Sequence, residues 1–188
     1  MRNKLIGMAF VLLAFATFAP AQQKEKKEHT RTVTEVLDHT VSNAEQEFVG
    51  AADAMPEDKF NFAPTNGEFK GVRNFGQQIK HVAAVNYELG AAILEEKPPV
   101  DINDEAGPAS MTSKDDIMKY IKDSFAYAHK AVQTINEKNL VQTVRSPFGE
   151  GRVSRLGLAS TIAAHAYDHY GQMVEYLRMN GIVPPASR

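Results

Sequence analysis

The stretch HAYDHYGQMVEYLRMNGIVPP, residues 165–185, carries the pattern that decides the fold class. Apolar residues recur within it and just before it at spacings of three and four, which predicts an amphipathic helix over Ser154–Met179. The Asn180-Gly181 pair and the prolines beyond it mark the end of this helix. Its apolar stripe includes His165 and His169, which lie one turn apart, so their imidazoles can reach a common ion.

Three more helices are predicted upstream from the same periodicity. They cover Thr32–Ala54, Gly71–Leu94 and a segment from the Thr112-Ser113 capping pair to about Ile135. The prolines within residues 95–110 exclude a helix there. A β-prone piece and a turn at 146–149 predict a short extended excursion before the last helix. Four amphipathic helices in one domain indicate an all-α four-helix bundle, a fold that builds its cofactor sites from inward-facing side chains.

The N-terminal segment is typical of an export signal. A short basic start is followed by an apolar run over Leu5–Phe18 and by Ala19-Pro20-Ala21, the small-x-small pattern that signal peptidase accepts. The run is too short to span a bilayer comfortably. We therefore expect a signal peptide over 1–21, export to the periplasm or beyond the cell, and no stable membrane anchor after cleavage. Residues 22–31 are expected to form a flexible charged leader, which leaves 32–188 for the bundle domain.

Composition excludes several classes of partner and cofactor. The 188 residues carry 21 basic and 23 acidic side chains, and the net charge of −2 becomes −4 once Arg2 and Lys4 leave with the signal. No basic stripe remains that would attract nucleic acid. Cysteine is absent, which excludes a disulfide framework, lipidation on cysteine and a CxxCH haem attachment. Any thiol chemistry would need a sulfur atom from a second molecule.

A third histidine, His81, lies in the middle of the second predicted helix among apolar residues. Burying an unpaired imidazole there costs free energy, whereas a metal ion shared with His165 and His169 would satisfy all three rings. Three neutral imidazoles leave open coordination positions and suit one first-row divalent ion, with zinc or nickel expected. The alternative is that the three histidines are polar residues satisfied by backbone carbonyls or by neighbouring side chains. We predict His81, His165 and His169 as the metal ligands.

Candidate partners of the metal come from the same two helices. Gln172 shares the histidine face, and Gln77 lies one turn before His81, so either amide could contact a metal-bound water. Asp168 adjoins His169 but points about 100° away around the helix, so we expect it to be solvated or to support a ligand from behind. A plain structural role is an equal alternative for the two glutamines.

The other histidines and other metalloprotein motifs are set aside. His29 lies in the leader, and His39 and His129 are expected to face solvent. A zincin helix reads HExxH with the glutamate as general base, but Ala166 stands at that place here. A di-iron bundle would carry Glu-x-x-His on two helices, and the predicted helices contain no such pair.

Two segments resemble the DinB-like (DinB/YfiT) superfamily of metal-binding four-helix bundles. Residues 55–83, MPEDKFNFAPTNGEFKGVRNFGQQIKHVA, are similar to the family's loop-into-second-helix segment, with His81 at its ligand position. Residues 165–185 are similar to its closing segment, with His165 and His169 at the other two ligand positions. The resemblance covers nearly the whole chain after the leader. It implies a four-helix bundle in which these three histidines hold one metal ion.

The resemblance implies a metal more firmly than it implies a reaction. Characterised branches include transferases and isomerases that use low-molecular-weight thiols such as bacillithiol, mycothiol or glutathione, and members are often dimers. Export departs from this pattern because those thiols are chiefly cytosolic, so water is the alternative nucleophile. Two functions stay open: a metal-dependent transferase or hydrolase acting on an unidentified small molecule, and a non-catalytic protein that binds a metal or a small molecule. A homodimer is expected from the resemblance alone.

Overall fold

Side-chain caps set the start of every helix in the bundle. The computed structural model describes residues 30–188, so the predicted signal peptide and most of the predicted leader lie outside the described residues. The helices are Val33–Ala54 (α1), Phe75–Leu94 (α2), Lys114–Val132 (α3) and Arg155–Met179 (α4). In each, the residue before the helix accepts a hydrogen bond from the third helical N–H, which satisfies one of the unpaired donors there; the caps are Thr32, Asn74, Ser113 and Ser154.

The start of α2 corrects the sequence-based prediction. The helix begins at Phe75 rather than at Gly71 because Asn74 and Gln77 form a capping box. The backbone N–H of Asn74 donates to Gln77 Oε1 at 2.9 Å, and the N–H of Gln77 donates to Asn74 Oδ1 at 2.8 Å. Phe75, the first helical residue, is fully buried, so the helix enters the core at once.

The helices form a four-helix bundle in which α1 and α2 each pack against both α3 and α4. α2 and α4 run antiparallel: Gln78 Nε2 near the start of α2 donates to Gln172 Oε1 near the end of α4, and Arg155 Nε donates to the Ile93 carbonyl at the other end. The centre is filled by large side chains with essentially no exposed area, among them Phe48, Phe75, Ile79, Leu89, Ile121, Phe125, Ile162, Met173 and Leu177. The predicted all-α bundle is confirmed.

The predicted extended excursion is a small antiparallel hairpin. Strand β1, Thr143–Arg145, pairs with β2, Arg152–Ser154, with Val144 opposite Val153. Val144 is buried against the core, which ties the hairpin to the bundle. Ser154 ends β2 and caps α4, so the hairpin determines where α4 begins.

Residues Arg31–Arg188 form one compact unit. It also contains two short 3₁₀ helices, Glu57–Lys59 and Pro185–Ser187. Within residues 30–188, the helices are all too short or too polar to cross a bilayer.

Candidate metal centre

His81 on α2 meets His165 and His169 on α4 between the two helices. One ring nitrogen from each histidine lies within 4.8 Å of the other two, and the Nε2 atoms of His81 and His165 are 3.2 Å apart. His81 and His169 are each 6% exposed, whereas His165 is half-buried. The antiparallel pairing of α2 with α4 therefore brings the three predicted ligands together, with His165 nearest to solvent.

The three imidazoles are neutral at physiological pH. Burial lowers the pKa of His165 to about 3, with further lowering by His169 and His81, and burial lowers the pKa of His169 to about 4. Burial also lowers the pKa of His81, against a smaller opposing effect of its hydrogen bond to the Glu105 carbonyl. A neutral imidazole is the form that offers a lone pair to a metal.

A backbone carbonyl determines the tautomer of His81. Its Nδ1–H donates to the Glu105 carbonyl at 2.9 Å, which leaves the lone pair on Nε2. Glu105 ends a run of three left-handed residues, with φ of 46° at Asn103, 49° at Asp104 and 64° at Glu105. This conformation is unfavourable for residues with a side chain, so the surrounding contacts must hold it.

Lys80, the residue before His81, holds the segment that connects α2 to α3, residues 95–113, against α2. Its Nζ donates to the Pro108 carbonyl at 3.1 Å and to the Met111 carbonyl at 3.3 Å. Gly107 has φ of 69°, and a Cβ there would lie 3.0 Å from Lys80 Cβ and 3.2 Å from the Lys80 carbonyl oxygen. The connection thus lies directly on α2, and a glycine is required at the closest point.

A chain of three side chains determines the tautomer of His169. The Asp168 carboxylate can only accept, and it accepts from Gln172 Nε2 at 3.2 Å. Gln172 Oε1 in turn accepts from Gln78 Nε2 at 2.9 Å, and Gln78 Oε1 accepts from His169 Nδ1. Because the Asp168 carboxylate can only accept, it fixes which group donates in each hydrogen bond of the chain. His169 therefore keeps its proton on Nδ1, and its Nε2 lone pair is available to a metal ion.

His165 has no comparable partner. Its Nδ1 is buried and makes no hydrogen bond with residues 30–188. Because His81 Nε2 carries a lone pair, His165 Nε2 at 3.2 Å must either donate a proton to it or share a cation with it. Two nitrogens bound to one tetrahedral zinc at 2.0–2.1 Å are about 3.3 Å apart. The distance between His81 and His165, the nitrogen donor atoms and the neutrality of the three rings all fit a metal ion.

Comparisons with known proteins assign the chain to a family. The model of the DinB superfamily matches residues 40–173. The chain belongs to the DinB superfamily. A crystal structure of a DinB-like protein from Bacillus cereus ATCC 10987 is similar with a TM-score of 0.66 and 16% identity, over 80% of this chain and 95% of that chain. A conserved protein from Enterococcus faecalis gives a TM-score of 0.63 and 18% identity, over 80% and 98% of the two chains.

At these identities the two solved structures support the fold alone. No curated protein sequence matches this chain. The resemblance to the DinB superfamily predicted from the sequence is confirmed, and the three-histidine cluster of this DinB-superfamily bundle could bind a metal ion.

Of the three residues predicted to contact or support the metal site in this DinB-superfamily bundle, two are linked to His169 by hydrogen bonds and one is not. Gln172 and Asp168 both belong to the chain of side chains behind His169. Gln77 is exposed and caps α2 instead of facing the histidines. The glutamine that contacts His169 is Gln78, which is 1% exposed and which the sequence reasoning missed. The Asn-x-x-Gln capping pattern was the available signal, because it assigns Gln77 to the helix end.

His129 corrects a second prediction, since it does not face solvent. Its side chain is 19% exposed and joins α3 to α1, with Nδ1 2.7 Å from Asp38 Oδ1 and Nε2 3.1 Å from Glu45 Oε2. The hydrogen bond with Glu45 raises the pKa of His129 and Asp38 raises it further, against the lowering effect of burial. His39 is exposed, as predicted.

Glu88 is a further candidate that the sequence reasoning missed. It lies two turns after His81 on the same face of α2, which was the signal available in the sequence. Its Oε2 atom is buried without a hydrogen-bond partner among residues 30–188. Burial raises the pKa of Glu88, and the Glu105 and Asp104 carboxylates raise it further. Glu88 lines the largest cavity described, about 720 Å³, which none of the three histidines lines.

Proposed function

We propose that this DinB-superfamily chain binds one divalent metal ion through His81, His165 and His169, with zinc or nickel as the ion. The observation that carries the proposal is the convergence of three neutral imidazoles whose nitrogens lie within 4.8 Å of one another. Two of them are oriented in advance, because Glu105 and Gln78 hold their Nδ1 protons and leave Nε2 available. Ligands held in this way lose little freedom on binding and discriminate in favour of nitrogen-preferring ions.

We propose further that the protein is an exported enzyme, a transferase or a hydrolase. A divalent ion with three protein ligands keeps an open position and lowers the pKa of a thiol or water that coordinates there. The half-buried His165 stands at the solvent side, where a small molecule would enter. Glu88, about 10 Å further along α2 than His81, has a raised pKa and can hold a proton closer to neutral pH than an exposed glutamate does.

A second candidate function is a non-catalytic metal-binding or small-molecule-binding protein. One observation favours it: within residues 30–188, no carboxylate makes a hydrogen bond to any of the three imidazoles, and Asp168 is engaged with Gln172. A general base directly beside the ion is therefore not part of the described site. Activity would depend on Glu88 or on the substrate itself for proton transfer.

The first experiment measures metal content by mass spectrometry on the mature protein, purified without a His tag or nickel resin. His165→Ala tests the site, and His39→Ala is the matched control, because His39 is an exposed histidine away from the centre. We expect about one zinc or nickel ion per chain in the wild type and in His39→Ala, and none in His165→Ala. A folded wild-type protein that neither retains nor takes up either ion would overturn the proposal.

Two further measurements separate the finer parts of the proposal. The metal-loaded protein is assayed with electrophiles in the presence of thiols, and separately with ester substrates. Turnover that a chelator abolishes supports the enzyme. Absence of turnover with every substrate tested favours the non-catalytic binding protein. Export is tested by sequencing the N-terminus of the protein recovered from outside the cytoplasm. We expect it to begin at Gln22 if the signal is cleaved after Ala21.

A further inference from the structure

A second cavity, of about 430 Å³, lies between the N-terminal end of α2 and the segment that connects α2 to α3. Lys80, which lines it, directly precedes His81 in the chain. Asn103 and Gly107 also line it, and they flank Glu105, whose carbonyl binds His81. The walls of this cavity are therefore built from close chain neighbours of His81 and of Glu105, the residue whose carbonyl orients it.

The lining of this cavity carries positive charge and no negative charge. Its polar residues are Arg73, Gln77, Lys80 and Asn103, the other lining residues are small or apolar, and none has a carboxylate. The largest cavity differs in sign, because four glutamates line it against one lysine and one arginine. An anion would thus be attracted to the cavity beside His81 and not to the larger one.

Arg73 is the group in this cavity with unused binding capacity. It is exposed, and its guanidinium makes no hydrogen bond or ion pair with residues 30–188; only its backbone carbonyl is engaged, by the Tyr176 hydroxyl. Lys80 adds one N–H donor, because two of its three are used on backbone carbonyls.

A guanidinium with all its N–H groups available matches a carboxylate, which it can bind through two parallel hydrogen bonds. Building on the proposed metal centre, we propose that this cavity binds a carboxylate group of the substrate and that Arg73 is the residue that binds it. The substrate class is then a small molecule that carries a carboxylate at one end and presents its reacting group to the ion at the other.

The test is a titration followed by nuclear magnetic resonance on the ¹⁵N-labelled mature protein, with and without zinc. Succinate is the probe, succinamide is its uncharged counterpart, and inorganic phosphate tests the other common anion. We expect succinate to shift the backbone amides of residues 71–77 and 103–109 saturably, and the ring protons of His81, His165 and His169 with the same Kd. Succinamide should bind at least about tenfold more weakly, since it lacks the charge that strengthens the hydrogen bonds.

Arg73→Gln should weaken succinate binding about tenfold or more and leave succinamide unchanged. Arg178→Gln is the matched control, an exposed arginine on α4 that does not line the cavity. Equal binding of succinate by wild type and Arg73→Gln overturns the proposal. So does binding of phosphate but not succinate, or saturable binding that leaves the histidine ring protons unmoved.

The titration separates this inference from the proposed function. Saturable succinate binding in a protein that takes up neither zinc nor nickel supports the carboxylate site and refutes the metal centre. Zinc uptake with no succinate shifts at the cavity refutes the carboxylate site and leaves the metal centre intact.

Discussion

Replacing Gln78 with leucine should weaken metal binding although it removes no ligand. Gln78 is 1% exposed, accepts from His169 Nδ1 and donates to Gln172 Oε1 at 2.9 Å. Leucine has a similar size but offers no acceptor. His169 would then lose the partner that keeps its proton on Nδ1, and its ring would be free to turn or to move that proton to Nε2, the nitrogen that must face the ion.

The size of the effect follows from the role of such partners. Loss of a hydrogen bond behind a metal-binding histidine typically lowers metal affinity about 10- to 100-fold, which corresponds to about 1.4 to 2.8 kcal/mol. The metal-free protein should also become less stable by about 1 to 3 kcal/mol, because the buried Nδ1–H of His169 is left unpaired. Gln172 is half-buried and can turn its amide to water, so its share of this cost is smaller.

The adjacent glutamine supplies a matched control. Gln77→Leu removes an exposed side chain that caps α2 and touches no histidine, so it should cost about 0.5 to 1 kcal/mol of stability and leave zinc affinity unchanged. Zinc affinity is measured by competition with a chromogenic chelator, and stability by urea unfolding. Equal zinc affinity in Gln78→Leu and wild type would refute the role assigned to Gln78; equal losses in the two variants would show a general disturbance of α2 instead.

Three further predictions concern charge and pH. Between pH 7 and pH 5, the free energy of unfolding of the metal-free protein should fall by up to about 2 kcal/mol for each of His165 and His169. The reason is that these histidines bind protons below about pH 6.5 in the unfolded chain, whereas in the folded protein His169 binds one only near pH 4 and His165 only near pH 3. Urea unfolding of His165→Ala should show a shallower dependence of stability on pH. His129 should affect stability in the opposite direction. Its raised pKa means that protonated His129 stabilises the fold below pH 6.5, and this contribution is lost as the pH rises through the pKa of His129 in the folded protein. The variant His129→Gln lacks this contribution. Urea unfolding should find it about 1 to 3 kcal/mol less stable than wild type at pH 6 and closer to wild type at pH 9, and a difference independent of pH would contradict the ion pairs. Glu88→Gln should be more stable relative to wild type at pH 7 than at pH 4, because the raised pKa of Glu88 makes its ionisation in the folded state unfavourable as pH rises past 4.5; thermal unfolding that shows the same difference at both pH values would contradict this.

The helices could be predicted because their signals are local. The 3.6-residue period of the apolar positions and the caps at Thr32, Ser113 and Ser154 are legible within a few residues of the chain. The start of α2 was harder, since Gly71 and Asn74 both stand before an apolar stripe. The reciprocal hydrogen bonds between Asn74 and Gln77 decide between them.

The surroundings of the metal centre were less accessible to sequence reasoning. Gln77 and Gln78 differ by about 100° around α2, and this rotation places one on the surface and the other against His169. Glu105 contributes a backbone oxygen, an atom that every residue has, so no residue type could signal its contact with His81. The burial of His129 could not be predicted either, because its partners Asp38 and Glu45 lie on α1, far away in sequence.

The sequence by itself determined the four helices, the cap of α3 at Ser113, and the placing of His165 and His169 one turn apart, because each depends on neighbours within a few positions. Only the tertiary structure decided that His81 joins them. His81 and His165 are 84 positions apart, and their 3.2 Å approach depends on the antiparallel register of α2 against α4. That register is set by packing along the whole shared core, from the Gln78–Gln172 hydrogen bond at one end to Arg155 on the Ile93 carbonyl at the other. No short stretch of sequence contains it.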